Sequence, residues 1–226
     1  MEIDQLSGSR PKENSDSGSK GSPLLRWLLL FGVVLAIVSF CFDDACWAWI
    51  REHQQSGLLR LAGILSKYGD WPELMFMGLL GLAVAWWASR RKAVKVLLCM
   101  LIASTIAGGV VNTVRLTTGR TRPNAVQIPQ GWFGLRRNGE WLLFKNKYHA
   151  FPSGHSASAF AFFGVLAFAY RRIGWCFLGP AAAIGWSRIY LGAHHLSDVL
   201  VGMIVGMVFA YYVWIRVGPW LEQRLL

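Results

Sequence analysis

Six apolar stretches follow one another along the chain, with charged residues largely confined to their ends. Several hold only about 15 to 17 uninterrupted apolar residues, and any one of them alone would suit a buried helix of a soluble protein. Six in succession indicate instead helices that cross a bilayer, because a spanning helix satisfies its backbone hydrogen bonds internally. The pattern therefore predicts an all-α fold, a bundle of six transmembrane helices. The stretches are residues 24–42, 71–89, 93–111, 154–170, 173–188 and 199–217.

The first residues have a different character. Residues 1–23 are dominated by Ser, Gly, Lys, Asp and Glu, a composition that cannot bury enough apolar surface to offset the entropy of ordering. We expect a disordered cytoplasmic tail over 1–23 and a single membrane domain over 24–226. A cleaved signal peptide is the alternative for the first apolar stretch. The long preceding tail, with Trp47 and Trp49 beside the small residues of a cleavage site, favours a retained helix.

The sequences between the apolar stretches also predict local structure. Residues 43–70 place charged and apolar side chains at helical spacing, which predicts a helix lying on the membrane surface. Residues 90–92, Arg-Arg-Lys, leave room only for a tight helical hairpin. A polar loop is expected over 112–152, and Pro180 predicts a kink in the fifth stretch.

The orientation in the membrane follows from the short basic connections. Residues 90–92 and 171–172 hold Arg and Lys, which favour the cytoplasmic side. The connections at 43–70, 112–152 and 189–198 then lie outside, by parity of six spans. The connection at 112–152 is itself strongly basic, which conflicts with a simple charge count. A functional use for its arginines would resolve the conflict.

Composition supports a membrane protein and excludes other classes. Apolar residues make up 54% of the chain, which holds 12 Trp. The net charge of +11 could suggest nucleic acid, but no aromatic-basic sheet pattern or zinc-finger spacing is present in the sequence. The cysteines have no spacing typical of metal ligands and are expected to be small buried hydrophobic residues. They are Cys41, Cys46, Cys99 and Cys176.

Three clusters carry residue types suited to phosphate chemistry, and parity places all of them outside. The clusters are Arg115-x6-Arg122-Pro123, Pro152-Ser153-Gly154-His155 and Ser187-Arg188-x5-His194-x3-Asp198. Guanidinium groups match the oxygens of a phosphoryl group and stay charged at working pH. Ser153 is a suitable N-cap, and the amides of Ser153 and Gly154 would lie at a helix N-terminus, where anions bind. Together these residues predict a phosphate site that needs no metal or cofactor.

Two histidines complete the predicted site. His194 and Asp198 are four residues apart, so on a helical turn the carboxylate can accept a hydrogen bond from one imidazole nitrogen and leave the other as a nucleophile. His155 is then free to be the general acid. Helix geometry alone would equally allow His195 as the nucleophile, because it lies three residues from Asp198.

The three clusters together resemble the signature of the type 2 phosphatidic acid phosphatase family, written K-x6-RP, PSGH and SR-x5-H-x3-D, which the soluble vanadium haloperoxidases share. The match spans residues 115–198, and one departure is Arg115 in place of the usual lysine. The resemblance implies a phosphatase/haloperoxidase-like helical core. It selects His194 as the nucleophile that forms a phosphohistidine, with Asp198 orienting it.

The resemblance also assigns the other residues. It implies that His155 protonates the leaving group and then activates water. The implied phosphate cradle consists of Arg115, Arg122, Arg188, Ser153 and Gly154.

The resulting expectation is an integral membrane phosphatase that hydrolyses a lipid phosphomonoester or diphosphate at the outer face of a bacterial inner membrane. Its partners would be the lipid phosphate substrate and membrane lipids, with no nucleic acid. A lipid phosphotransferase using the same intermediate is one alternative, and a non-catalytic lipid transporter is another. Phosphatidic acid, phosphatidylglycerol phosphate, a polyprenyl diphosphate and a lipid A phosphate all fit the sequence as substrates.

Overall fold

The computed structural model describes residues 23–170 and 172–225. Residues 1–22 of the predicted disordered tail lie outside these ranges, as does Arg171 of the predicted cytoplasmic connection. Pro23, the last residue assigned to the tail, begins the first helix.

Eight α-helices and one short hairpin make up the described part of the chain. The helices are α1 (Pro23–Ser39), α2 (Asp43–Glu52), α3 (Ser56–Tyr68), α4 (Trp71–Trp87), α5 (Arg91–Thr118), α6 (Gly154–Ala169), α7 (Leu178–Tyr190) and α8 (Leu196–Leu225). Short 3-10 turns occupy Phe40–Phe42, Asn146–Tyr148 and Gly174–Phe177. Strands β1 (Arg136–Arg137) and β2 (Glu140–Trp141) pair antiparallel, with Arg136 opposite Trp141.

The prediction of a mainly helical chain is confirmed, apart from the small hairpin. In the described residues, three stretches are long and apolar enough to cross a membrane: Leu30–Glu52, Arg91–Thr118 and Leu196–Arg224. Trp71–Trp87 and Gly154–Ala169 are shorter apolar helices. Helix α7 has 13 residues, about 20 Å of helix, against a bilayer core of roughly 30 Å. The number of six spans therefore stays a prediction.

Two predicted boundaries differ from the structure. Residues 43–70 form two helices, α2 and α3, separated at His53–Gln55. Helix α5 continues to Thr118, so the polar loop begins at Gly119 rather than at residue 112. Gly119 ends the helix in a left-handed conformation with φ of 62°, and a Cβ there would lie 2.2 Å from the Gly134 carbonyl oxygen.

The predicted kink at Pro180 is wrong. Pro180 is the third residue of α7. The first N–H groups of a helix have no intrahelical partner, so a proline there removes no intrahelical hydrogen bond. The predicted tight hairpin is confirmed, but its turn is at residues 88–90, because α4 ends at Trp87 and α5 begins at Arg91.

Helix α6 is the centre of the bundle and packs against α5 and α8. Every residue from Ser156 to Phe162 is buried. Helix α8 approaches α6 closely at two glycines, where added Cβ atoms would lie 2.6 Å (Gly202) and 2.5 Å (Gly206) from the backbone oxygens of Ser153 and Ala157. Small residues four apart allow such contact between membrane helices.

The outward faces of the helices are apolar. On α1 and α4, Phe31 is 62% exposed, Phe76 is 69% exposed and Trp87 is 88% exposed. Soluble monomers rarely expose contiguous apolar surface of this extent. The bundle surface is therefore suited to lipid.

The close approach of α8 to α6 gives a test of the packing. Gly206→Ala should lower the thermal unfolding temperature in detergent, because the added methyl group meets the Ala157 carbonyl at 2.5 Å. Overpacking of this kind costs roughly 1–3 kcal/mol. Gly63→Ala in α3 is the matched control, since a Cβ there has nothing within 4 Å. It should leave the unfolding temperature equal or raise it. Equal unfolding temperatures for the two variants would contradict the packing described here.

Candidate active site

The three sequence clusters meet at one end of the bundle. Arg115 lies in the last turn of α5, and a Cβ placed on Gly154 at the start of α6 would lie 3.6 Å from its Nη1 atom. The Ser153 backbone N–H donates to the Asp198 carbonyl at 3.0 Å, which joins the start of α6 to the start of α8. The remaining predicted residue on α7, Arg188, lies in the last turn of that helix.

Three arginines hold partly unsatisfied guanidinium groups in this region. Arg115 donates from Nη2 to the Asn112 side chain, and Arg188 donates from Nη1 to the Ser66 hydroxyl of α3. The Nε atoms of Arg115, Arg122 and Arg188 are all buried without a hydrogen-bond partner. Burial lowers the pKa of Arg122, and the neighbouring Arg115 lowers it further. Buried donors without partners are costly, so an anion is expected to occupy the site.

His194 offers a free nitrogen to the same region. Its Nδ1 atom lies 2.6 Å from the Ala150 carbonyl oxygen, and its Nε2 atom is buried without a partner. A carbonyl only accepts, so Nδ1 carries the hydrogen and Nε2 keeps its lone pair. Burial, followed by the positive charges of Arg188 and Arg122, lowers the pKa of His194 well below its usual range. The imidazole is therefore neutral and suited to nucleophilic attack.

Asp198 does not form the expected hydrogen bond with His194. Its Oδ2 atom lies 3.7 Å from His194 Nδ1 and instead accepts the His195 backbone N–H at 2.7 Å. Its Oδ1 atom is bound by Arg120 Nη1. Both oxygens are thus engaged elsewhere, and the Ala150 carbonyl accepts the ring hydrogen. Asp198 thus lies beside the His194 ring without a direct hydrogen bond to it.

Arg120 and Asp43 were missed by the sequence reasoning. Arg120 Nη2 donates to Asp43 Oδ2 at 2.6 Å, and Arg120 Nη1 donates to Ser197 Oγ at 2.7 Å as well as to Asp198. Asp43 also accepts the Ser197 backbone N–H at 2.9 Å and its hydroxyl at 2.6 Å. Three aromatic rings, those of Phe40, Trp132 and Phe151, lie within 6 Å of the guanidinium carbon.

This buried network fixes the residues that follow His194. Arg120 is 6% exposed and Asp43 is 4% exposed. The only signal in the sequence was Asp43 directly after an apolar stretch, and amphipathic spacing placed it on a surface helix. Its partners Arg120 and Ser197 lie 77 and 154 residues away, so no local pattern indicates the pairing.

His155 and His195 occupy different places. His155, in the first turn of α6, is mostly buried, and its Nε2 atom lies 3.4 Å from Asp70 Oδ1. Asp70 is a third residue that the sequence reasoning missed. The His195 ring lies 3.2 Å from the Thr121 carbonyl and lines a separate cavity with Trp47 and Pro123. This placement favours His194 over His195 as the nucleophile.

Comparison with known proteins gives relatives over part of the chain. A lipid A 1-phosphatase of Rhizobium johnstonii is 31% identical over 104 residues, 46% of this chain and 41% of the relative. A putative undecaprenyl-diphosphatase of Escherichia coli is 39% identical over 82 residues, 34% of this chain and 40% of the relative. The chain thus spans less than half the length of these curated relatives.

Two solved structures share the fold. The crystal structure of Aquifex aeolicus LpxE superposes with a TM-score of 0.53 at 22% identity, covering 76% of this chain and 93% of that one. A transmembrane PAP2 type phosphatidylglycerolphosphate phosphatase from Bacillus subtilis gives a TM-score of 0.57 at 20% identity, covering 83% and 92%.

The family comparison includes every residue of the three predicted clusters. The description "PAP2 superfamily" matches residues 92–221, more than half of the chain. The matched region runs from the start of α5 into the last turns of α8, and so contains the helices that assemble the site. The resemblance indicated by the three clusters is confirmed, and the chain belongs to the PAP2 superfamily.

Proposed function

We propose that this protein is an integral membrane phosphatase that removes phosphate from a lipid phosphomonoester or diphosphate. The observation that carries the proposal is the set of unpartnered buried nitrogens at one site. These are the Nε atoms of Arg115, Arg122 and Arg188 and the Nε2 atom of His194. A bound phosphoryl group would accept from the three guanidinium groups and present phosphorus to the imidazole.

The relatives support this class of reaction. Their names describe a lipid A 1-phosphatase, an undecaprenyl-diphosphatase and, in Schizosaccharomyces pombe, a probable diacylglycerol pyrophosphate phosphatase. All three names describe removal of phosphate from a lipid. The lipids differ, so we assign the class of substrate and not its identity.

The first chemical step forms a phosphohistidine. The His194 Nε2 lone pair attacks phosphorus, and the electron pair of the breaking P–O bond leaves on the substrate oxygen. His155 gives its proton to that oxygen, which departs as an alcohol or as a phosphate. The His194 Nδ1–H remains bonded to the Ala150 carbonyl at 2.6 Å. The Asp198 carboxylate, 3.7 Å from Nδ1, stabilises the positive charge that develops on the ring.

The second step returns the enzyme to its starting state. The neutral His155 ring takes a proton from water, and the resulting hydroxide attacks phosphorus. The P–N bond breaks, its electron pair returns to His194 Nε2, and inorganic phosphate leaves. Arg115, Arg122 and Arg188 would hold the nonbridging oxygens through both steps, with Ser153 and the Gly154 amide at the helix N-terminus.

We also propose that the site faces the outside of a bacterial-type inner membrane. The site lies at the end of α5, and the basic connection before Arg91 lies at its start. The helix has 28 residues, so about 40 Å separates the two. Basic residues in short connections favour the cytoplasmic side. The predicted arrangement of six spans belongs to this proposal.

His194→Ala should reduce phosphate release by at least roughly a thousandfold, because no atom is left to attack phosphorus. It should also abolish the acid-labile phosphoenzyme formed with a labelled lipid phosphate. His195→Ala is the control, since its ring faces Thr121 and a different cavity. A phosphoenzyme that persists in His194→Ala and disappears in His195→Ala would show that the nucleophile is wrongly assigned. Label recovered on a second lipid instead of in free phosphate would indicate phosphotransfer.

Activity should be unchanged in excess EDTA, because the arginines supply the positive charge that a metal ion would otherwise supply. Orthovanadate should inhibit it, since vanadate adopts the five-coordinate geometry of phosphorus during transfer. Phosphate release measured with and without each reagent gives the result. Activity that is lost in chelator and restored by Mg²⁺ would contradict the arginine cradle.

The orientation can be measured with cysteines placed at two turns of matched conformation. Asn138 in the hairpin and Ser89 between α4 and α5 both have positive φ, 51° and 52°. In a variant without the four native cysteines, Asn138→Cys should react with an impermeant thiol reagent added to intact cells. Ser89→Cys should react only after the membrane is opened. The reverse pattern would place the site on the cytoplasmic side.

A further inference from the structure

The Asp70 carboxylate takes part in two interactions. Its Oδ1 atom accepts the Trp71 backbone N–H at 2.8 Å, which caps the start of α4. The same oxygen lies 3.4 Å from His155 Nε2. Several polar residues can cap the N-terminus of a helix, and a cap needs no charge. Because His155 lies close to Asp70, the negative charge of Asp70 can also act on the imidazole.

His155 is surrounded by groups that disfavour its protonated form. The charged and titratable groups acting on it come from four elements: Arg188 of α7, Arg115 of α5, His194 before α8, and Asp70 before α4. Positive charge and burial both favour a neutral imidazole. Asp70 is the carboxylate in this set, and it opposes the other three.

Both residues open onto a cavity beside the phosphate site. The cavity is lined by Asp70, Asn112, Arg115, Gly154, His155 and Ser158, among others. Because Arg115 belongs to both the cradle and this cavity, a substrate whose phosphate lies in the cradle would extend its leaving group into the cavity. The leaving oxygen would then meet His155 with Asp70 behind it.

We propose that Asp70 is a positioning residue that orients His155 toward the leaving oxygen and favours its protonated form. The inference rests on the proposed function, since it gives Asp70 a part in the same reaction. When the P–O bond breaks, its electron pair stays on oxygen, and the His155 proton converts that oxygen into a hydroxyl group. Asp70 remains a carboxylate throughout. Its contribution is therefore greatest for leaving groups that most need a proton.

Asp70→Asn removes the negative charge and keeps the helix cap, because asparagine is as good an N-cap as aspartate. General acid catalysis contributes about 10²–10⁴-fold. With phosphatidic acid, whose leaving group is an alkyl alcohol, kcat should fall about 10–100-fold, part of that contribution. With 4-nitrophenyl phosphate, whose leaving group needs little protonation, kcat should change less than about threefold. The alkaline limb of the pH–rate profile should move to lower pH, because the protonated imidazole loses a stabilising neighbour.

Two further variants sharpen the comparison. Glu73→Gln removes the same charge one turn further along α4 and should keep the wild-type dependence on leaving group. The double variant Asp70→Asn/His155→Ala should be no slower than His155→Ala alone, because Asp70 acts through the imidazole. An equal loss on both substrates with an unchanged pH profile would make Asp70 a capping residue only and overturn the inference.

A titration that does not depend on turnover distinguishes this inference from the proposed function. In protein with ¹³C-labelled histidine in detergent micelles, the His155 ring signal is assigned by its loss in His155→Gln. Its protonation midpoint should lie at lower pH in Asp70→Asn than in wild type. An unchanged midpoint overturns the inference whether or not the protein is active. Absence of phosphate release by wild type from every lipid phosphate would overturn the proposed function, and the titration would still decide the role of Asp70.

Discussion

The burial of three like charges at one end of the bundle is the constraint on which the rest of the site depends. Arg115, Arg122 and Arg188 keep their Nε atoms buried without protein partners, and the positive charges disfavour one another. Protein contacts satisfy only part of the Arg115 and Arg188 groups, through Asn112 and Ser66 respectively. The site therefore favours a negatively charged ligand, and the proposed phosphoryl group would balance these charges.

A second arginine cluster shows the opposite arrangement. Arg120 lies between two carboxylates, Asp43 and Asp198, and is bonded to both. A buried ion pair of this kind contributes more to fixing one geometry than to stability, because desolvation offsets much of the attraction. Two neighbouring sets of charges thus differ: one is satisfied within the protein beside the connection after His194, and the other keeps buried nitrogens without protein partners.

The sequence predicted the part of the site that depends on local spacing. Arg122, Ser153 and His194 lie at the same end of the bundle, whereas the parity of six spans that placed them on the outer face stays a prediction. Asp43 and Asp70 were not predicted. Both lie in a segment whose amphipathic spacing indicates only a surface helix, and their importance comes from partners that are distant along the chain.

The hydrogen-bond partners of the site residues were less predictable from the sequence than the positions of these residues. Spacing allows Asp198 to reach the His194 ring. In the structure, however, Arg120 and the His195 backbone amide bind its carboxylate. No sequence pattern predicts these partners. The Pro180 prediction failed for a related reason, since the effect of a proline depends on where its helix begins. The fold class was predictable from apolar stretches alone, whereas the ends of α5 and α7 depended on single residues.

The contact between α8 and α6 links the packing of the helices to the geometry of the proposed active site. Gly202 lies against the Ser153 carbonyl, and one turn earlier Asp198 accepts the Ser153 backbone N–H. The distance between the two helices therefore also sets the distance between the residues around His194 and those around His155. A substitution that thickens this interface would alter both together. Directed evolution for stability in detergent should find few tolerated changes at Gly202 and Gly206.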